Sequence, residues 1–190
     1  LSSDVAVKGF FVVSGYLVFM SYENSRSPGD YFGKRARRIY PAYVAIVVAC
    51  AVAGAFLTSK SPAEYFSSHL LRYLAANLAF LNFLEPTLPG VFSENPLTAV
   101  NGALWTLKIE VMFYLSIPLI AIAARKVNRL AVFALVYALS VIYSLALLHL
   151  FNTSGNPFYE ILARQIPGQM TYFVVGALYY YYRERLQKHM

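Results

Sequence analysis

Two groups of charged residues sit where an apolar chain has least use for them. Lys108 and Glu110 lie inside LWTLKIEVMFYLSIPL, residues 104–119, and Lys34, Arg35, Arg37 and Arg38 crowd into KRARRIYP, residues 34–41. A carboxylate in an apolar setting is a candidate for orienting a hydroxyl, a lysine or a histidine. Two guanidiniums form a planar fork suited to phosphate oxygens. An ionised residue near the centre of a membrane helix costs about 3 kcal/mol even on the lenient insertion scale, so Lys108 and Glu110 both require partners or water. Two positions apart, they stand about 200° apart around a helix and cannot pair with each other. Glu110 shares a face with Thr106, Phe113 and Tyr114, and Lys108 with Trp105 and Met112. Two readings stand on the residues alone. Either Glu110 is a working carboxylate, or Lys108 snorkels outward while Glu110 pairs with a cation on another helix and holds the bundle together. Arg35 and Arg38, three apart, project to one side of a helix. By spacing alone, the cluster reads first as topogenic charge that fixes orientation and meets anionic lipid.

The elements that must position these groups are membrane helices. The chain has 190 residues, 58% hydrophobic and only 13% charged, against about 25% charged in a soluble domain, and its mean hydropathy is +0.51. The formal charge of +7 falls at the ends of apolar runs rather than on a polar, aromatic-studded face, which argues against a nucleic-acid surface. Cys50, the single cysteine, has no disulfide partner and no Cys/His cluster beside it, so no metal site is expected.

The fold class that follows is all-α, a polytopic transmembrane bundle forming a single domain over 1–190. A crossing needs about 20 apolar residues, and five stretches qualify: 5–22, 39–57, 104–124, 130–150 and 166–182. Between the first two, a Pro28-Gly29 turn and Asp30 as N-cap predict a short surface helix ending at Arg38, with Pro41 then in the first turn of the second span. The stretch 70–84 carries Arg72, Asn77 and Asn82 in about 15 residues and is expected to be re-entrant or interfacial. Pro86, Pro89 and Pro96 keep 85–102 from being helical throughout. The last span ends in four tyrosines, 179–182, suited to the aromatic belt. Arg26 and the 34–38 cluster, then Arg125, Lys126 and Arg129, then Arg183, Arg185 and Lys188 collect on one side, which the positive-inside rule makes cytoplasmic. Leu1 is then outside and Met190 inside. The chain opens on Leu1 rather than Met and is expected to be a fragment lacking its first span.

Four stretches in order, FFVVSGYLVF (10–19), R-x-x-R-I-Y-P (35–41), ALWTLKIEVMFYLSIPL (103–119) and GQMTYFVVGALYYYY (168–182), resemble the membrane acyltransferase-3 family, with its FFxxSGxL, RxxRIxP, WSLxxExxFYLxxP and FxxGxxxY patterns. The resemblance covers most of the chain. It implies a bacterial inner-membrane O-acyltransferase that moves an acetyl or other acyl group from cytoplasmic acetyl-CoA to a hydroxyl of a surface polysaccharide or lipid-linked glycan. It puts Arg35 and Arg38 on the acetyl-CoA donor, Glu110 at the catalytic acidic position, and Phe10, Phe11, Ser14, Gly15 and Trp105 in structural motifs. Acetyl-CoA is then the acyl donor, a glycan or lipid-linked saccharide the acceptor and the bilayer the solvent, with no resident cofactor. The sequence departs from the pattern in two places. No residue matches the family's first-span histidine, regarded as its catalytic base and so expected in sequence missing here, since His69, His149 and His189 lie elsewhere, and Lys108 stands where the family often has a small polar residue. Ser14 and Gly15 read better as close-packing residues than as chemistry, because no base adjoins Ser14 in sequence. Trp105 also suits an interfacial anchor. The alternative function is a non-catalytic membrane component of glycan transport or export, although neither a polar lining on several spans nor an internal repeat is present.

Overall fold

A computed structural model describes residues 3–96 and 98–187; Lys188, His189 and Met190 of the basic tail, and Leu1, lie outside the described residues. Eight helices follow in order: α1 (Ser3–Glu23), α2 (Pro28–Leu57), α3 (Pro62–Tyr65), α4 (Ser68–Leu78), α5 (Leu104–Lys126), α6 (Arg129–Ser154), α7 (Pro157–Ala163) and α8 (Ile166–Gln187). No strand is present among the described residues. α1, α2, α5 and α6 are long and apolar enough to cross a bilayer, and the protein is a multi-pass membrane protein. The stretch 166–182 falls on α8, which is 22 residues long. Its Gln169, its run of tyrosines and its two terminal arginines keep it out of that apolar set. Of the stretch 70–84 only 70–78 is helical, within the 11-residue α4, which is about half of what a crossing requires.

The region around Pro41 departs from expectation. There is no separate surface helix before the second span, because α2 runs unbroken for 30 residues with Pro41 in its interior. Its start lies upstream of Asp30: the Asp30 N–H donates to the Ser27 hydroxyl at 3.2 Å, the Asp30 carboxylate accepts the Arg26 N–H at 3.0 Å, and Pro28 opens the helix, where its missing N–H costs little. Once the start is fixed there, the basic stretch 34–38 and the apolar stretch after it continue one helical phase. Pro41 forfeits the bond to the Arg37 carbonyl, and the helix continues through it.

The described structure falls into two compact units. One takes residues up to Phe32 together with Ile109 onward, and the other is Gly33–Lys108. In the first, α8 packs against α1 and α6 around Phe11, Phe19, Phe113, Phe133 and Phe173, all fully buried. Small residues set the α1–α8 approach: a Cβ on Gly15 would lie 2.0 Å from the Phe173 carbonyl oxygen, and one on Gly176 would lie 1.9 Å from that of Val12. In the second unit Tyr43, Val47, Tyr65, Leu70, Tyr73, Leu88, Val91 and Leu104 form one apolar core. The loop after α4 is tied to it where Thr58 Oγ1 donates to the Pro89 carbonyl at 2.6 Å and Asn77 Nδ2 donates to the Glu85 carbonyl at 3.0 Å.

Candidate active site

In the first unit, α1 and α5 bring together two motifs that are 96 positions apart in sequence. Ser14 Oγ donates to Glu110 Oε1 at 2.7 Å, and Tyr114 Oη, one turn along α5, donates to the same oxygen at 2.7 Å. Ser14 is 6% exposed and Glu110 4%. Hydroxyl bonds to a carboxylate are short and about twice as strong as neutral ones, and a buried carboxylate requires such donors. The aromatic neighbours hold the arrangement. Phe11, one turn before Ser14, meets Phe113 edge-on with centroids 5.3 Å apart, and Phe113 stacks on Phe173 at 4.1 Å. Tyr31 Oη donates to the Tyr114 carbonyl at 3.1 Å, which fixes the α5 turn from the other side. Phe10, by contrast, is 44% exposed, so of the FF pair only Phe11 faces this site. Gly15 serves the α1–α8 contact described above.

Sequence reasoning placed Tyr114 on the Glu110 face and missed the Ser14–Glu110 bond. No base is near Ser14 in the chain, yet a carboxylate lies 2.7 Å away in space. No local pattern signals a contact between spans; an alternation of apolar and small residues shows only that α1 packs closely.

A second polar cluster closes the opposite end of this unit. Glu23 accepts from Arg125 Nη2 at 2.7 Å and from the Tyr181 hydroxyl, and the Arg129 guanidinium lies 3.9 Å from the Tyr181 ring centroid. The third residue of the tyrosine run is therefore drawn inward to a carboxylate.

In the second unit Arg35 is half-buried and Arg38 exposed, three positions apart on α2. Arg37 Nε donates to the Gly33 carbonyl one turn back. Trp105 is half-buried in the first turn of α5, and the Lys108 ammonium lies 4.9 Å from the Phe83 ring centroid. His69 Nε2 faces Glu85 Oε2 at 3.5 Å, and Arg72 Nε holds the other oxygen of Glu85 at 3.2 Å. His149 is exposed on α6.

Comparison with known proteins follows the same lines. The family model described as an acyltransferase domain matches residues 1–190. Nodulation protein 10 of Rhizobium leguminosarum bv. viciae is 32% identical over 171 residues, covering 86% of this chain and 45% of that protein. An O-acetyl transferase of Shigella phage Sf6 is 29% identical over 177 residues, covering 93% and 50%. The exopolysaccharide production protein ExoZ of Rhizobium meliloti is 34% identical over 109 residues, 55% of this chain and 30% of ExoZ. The chain thus spans about half the length of the first two relatives. No solved structure matches.

Proposed function

From the premise that this chain belongs to the membrane acyltransferase-3 family, we propose that the protein transfers an acetyl group from acetyl-CoA to a hydroxyl of a surface polysaccharide or lipid-linked glycan in a bacterial inner membrane, with its basic loops cytoplasmic. The observation that carries this reading is the buried Glu110 carboxylate holding two hydroxyl donors on one oxygen. A carboxylate that gathers hydroxyls in a dry setting is equipped to orient one more hydroxyl, that of the acceptor, and to draw on its proton. Ser14 and Tyr114 are positioning residues in this scheme. As the acceptor oxygen attacks the thioester carbonyl, a C–O bond forms and the C–S bond breaks, and the acceptor proton ends on the departing thiolate, giving the free thiol of coenzyme A.

Arg35 and Arg38 take the phosphates of coenzyme A. Two guanidiniums one helical turn apart suit a polyanion better than the single ammonium of Lys34 does. Names of relatives agree with the acceptor class, since one is an O-acetyl transferase and another a protein of exopolysaccharide production.

The test is transfer of labelled acetyl from acetyl-CoA to glycan by the purified protein in lipid nanodiscs. Label in the glycan ester supports the reading. Glycan binding or movement with no ester formed points instead to a transport component.

A further inference from the structure

We propose that a cavity of about 180 Å³ in the second unit is a saccharide subsite that takes one pyranose ring of the acceptor. This inference rests on the glycan-acceptor reading above and adds a place and a set of residues to it. Pockets for drug-sized ligands run to roughly 300–1,000 Å³, so this one fits a single sugar-sized group. Its lining includes Trp105 and Phe83 as aromatic faces, Lys108, and the carboxamides of Asn77, Asn82 and Asn101. Aromatic faces stack on the C–H face of a sugar ring, while planar amides offer paired donors and acceptors to vicinal hydroxyls.

The three amides are not used alike by the fold. Asn77 spends its Nδ2 on the Tyr73 and Glu85 carbonyls at 2.8 and 3.0 Å and builds the wall. Asn101 accepts the Ala103 N–H at 3.0 Å, but its Nδ2 has only the Cys50 sulfur, at 4.0 Å, a weak acceptor. The Asn82 Oδ1 is buried with no hydrogen-bond partner among the described residues. Buried polar groups are rarely left so in folded proteins, and these two carry hydrogen-bonding capacity that a sugar can take up.

The backbone leading into Asn82 is strained in the same sense. Phe80, the residue after the Ala79 C-cap of α4, has φ 60, a position that favours glycine. Its N–H donates to the Asn77 carbonyl and that of Leu81 to the Ala76 carbonyl, the pairing of a Schellman cap. Phe80 is held there by stacking on Tyr43 at 4.2 Å. This cap turns the chain so that Asn82 and Phe83 reach the cavity, and strain kept in place by packing is characteristic of binding sites.

Trp105 is the only tryptophan in the chain, so its emission reports on this cavity directly. The experiment titrates the protein in nanodiscs with glucose, N-acetylglucosamine and glucuronate in turn. A saturable emission change with at least one sugar is expected, with Asn82→Ala, and Asn82→Gln which keeps the amide but displaces it, each weakening the response about tenfold. A flat or non-saturating response to all three sugars overturns the subsite, as does an unaltered response in both variants. In the acetyl-transfer assay Asn82→Ala is expected to raise the acceptor KM about tenfold with the donor KM unchanged. An unchanged acceptor KM overturns the subsite and leaves the transferase reading standing. Saturable sugar binding without any acetyl transfer supports the subsite and removes the transferase reading.

Discussion

Ser14 on the first helix and Glu110 on the fifth are joined by a 2.7 Å hydrogen bond between buried atoms. A carboxylate that costs several kilocalories to hold in a bilayer is thereby kept in one orientation by a neighbour 96 positions away. Ser14→Ala removes that donor and is expected to destabilise the protein by about 1.5–3 kcal/mol, the range for hydrogen bonds to charged groups. Tyr114→Phe is expected to cost a similar amount. Because both hydroxyls bond the same oxygen, the two effects should be coupled by about 0.5 kcal/mol or more. Thermal unfolding of the two single variants and the double variant in detergent checks this, and strict additivity would contradict a shared acceptor.

Helix packing offers a steric test. Gly15→Ala and Gly176→Ala each drive a Cβ to about 2 Å from a backbone oxygen of the facing helix, which only separation of α1 from α8 relieves. Both are expected to lower the amount of folded protein in the membrane severely. Gly9→Ala, on the same helix but with nothing within 4 Å of the added Cβ, is expected to be neutral or mildly stabilising, since Ala favours helix by about 1 kcal/mol over Gly. Protein level and melting temperature of the three variants decide it.

At the start of α3 the Ser61 hydroxyl, and secondarily the Ser61 N–H, hold the Glu64 carboxyl below its ordinary range. The folded value lies below the unfolded one, so the cap contributes above the ordinary pKa of 4.5 and its contribution fades as pH falls through the folded value. Ser61→Ala should therefore flatten the acid limb of the stability profile and leave the neutral plateau slightly lowered. Melting temperature measured from pH 3 to 7 checks it, and an unchanged acid limb would count against the cap.

On the donor side, Arg35→Gln and Arg38→Gln together are expected to raise the KM for acetyl-CoA by at least about tenfold while the protein still inserts. Rising salt should weaken donor binding in the native protein and have little further effect in the double variant. An unchanged donor KM would return the cluster to a purely topogenic role.

What the sequence disclosed, and what it withheld, divides along the range of the forces involved. Apolar runs of sufficient length mark α1, α2, α5 and α6, because the bilayer imposes that length locally. The polar residues within 70–84 correctly bar a full crossing, and α4 is short. Pro41 misled for a local reason: a proline opening an apolar run suggests a first turn, whereas the Ser27–Asp30 arrangement starts the helix 13 residues earlier. The 104–119 run exposed Glu110 as costly without naming its partners. Ser14 is one of them through the packing of α1 on α5, and a contact between spans leaves no periodic trace in either.

The most direct test of the account is Glu110→Gln, which keeps the side chain's size and an oxygen for Ser14 and Tyr114 but removes the charge. Labelled acetyl transfer and the amount of folded protein are measured on the same preparation. Transfer is expected to fall by at least about a hundredfold, the contribution typical of a positioned acid or base, with the protein still folded and inserted. Native turnover in folded Glu110→Gln protein, or loss of the folded protein itself, would instead make Glu110 a structural group.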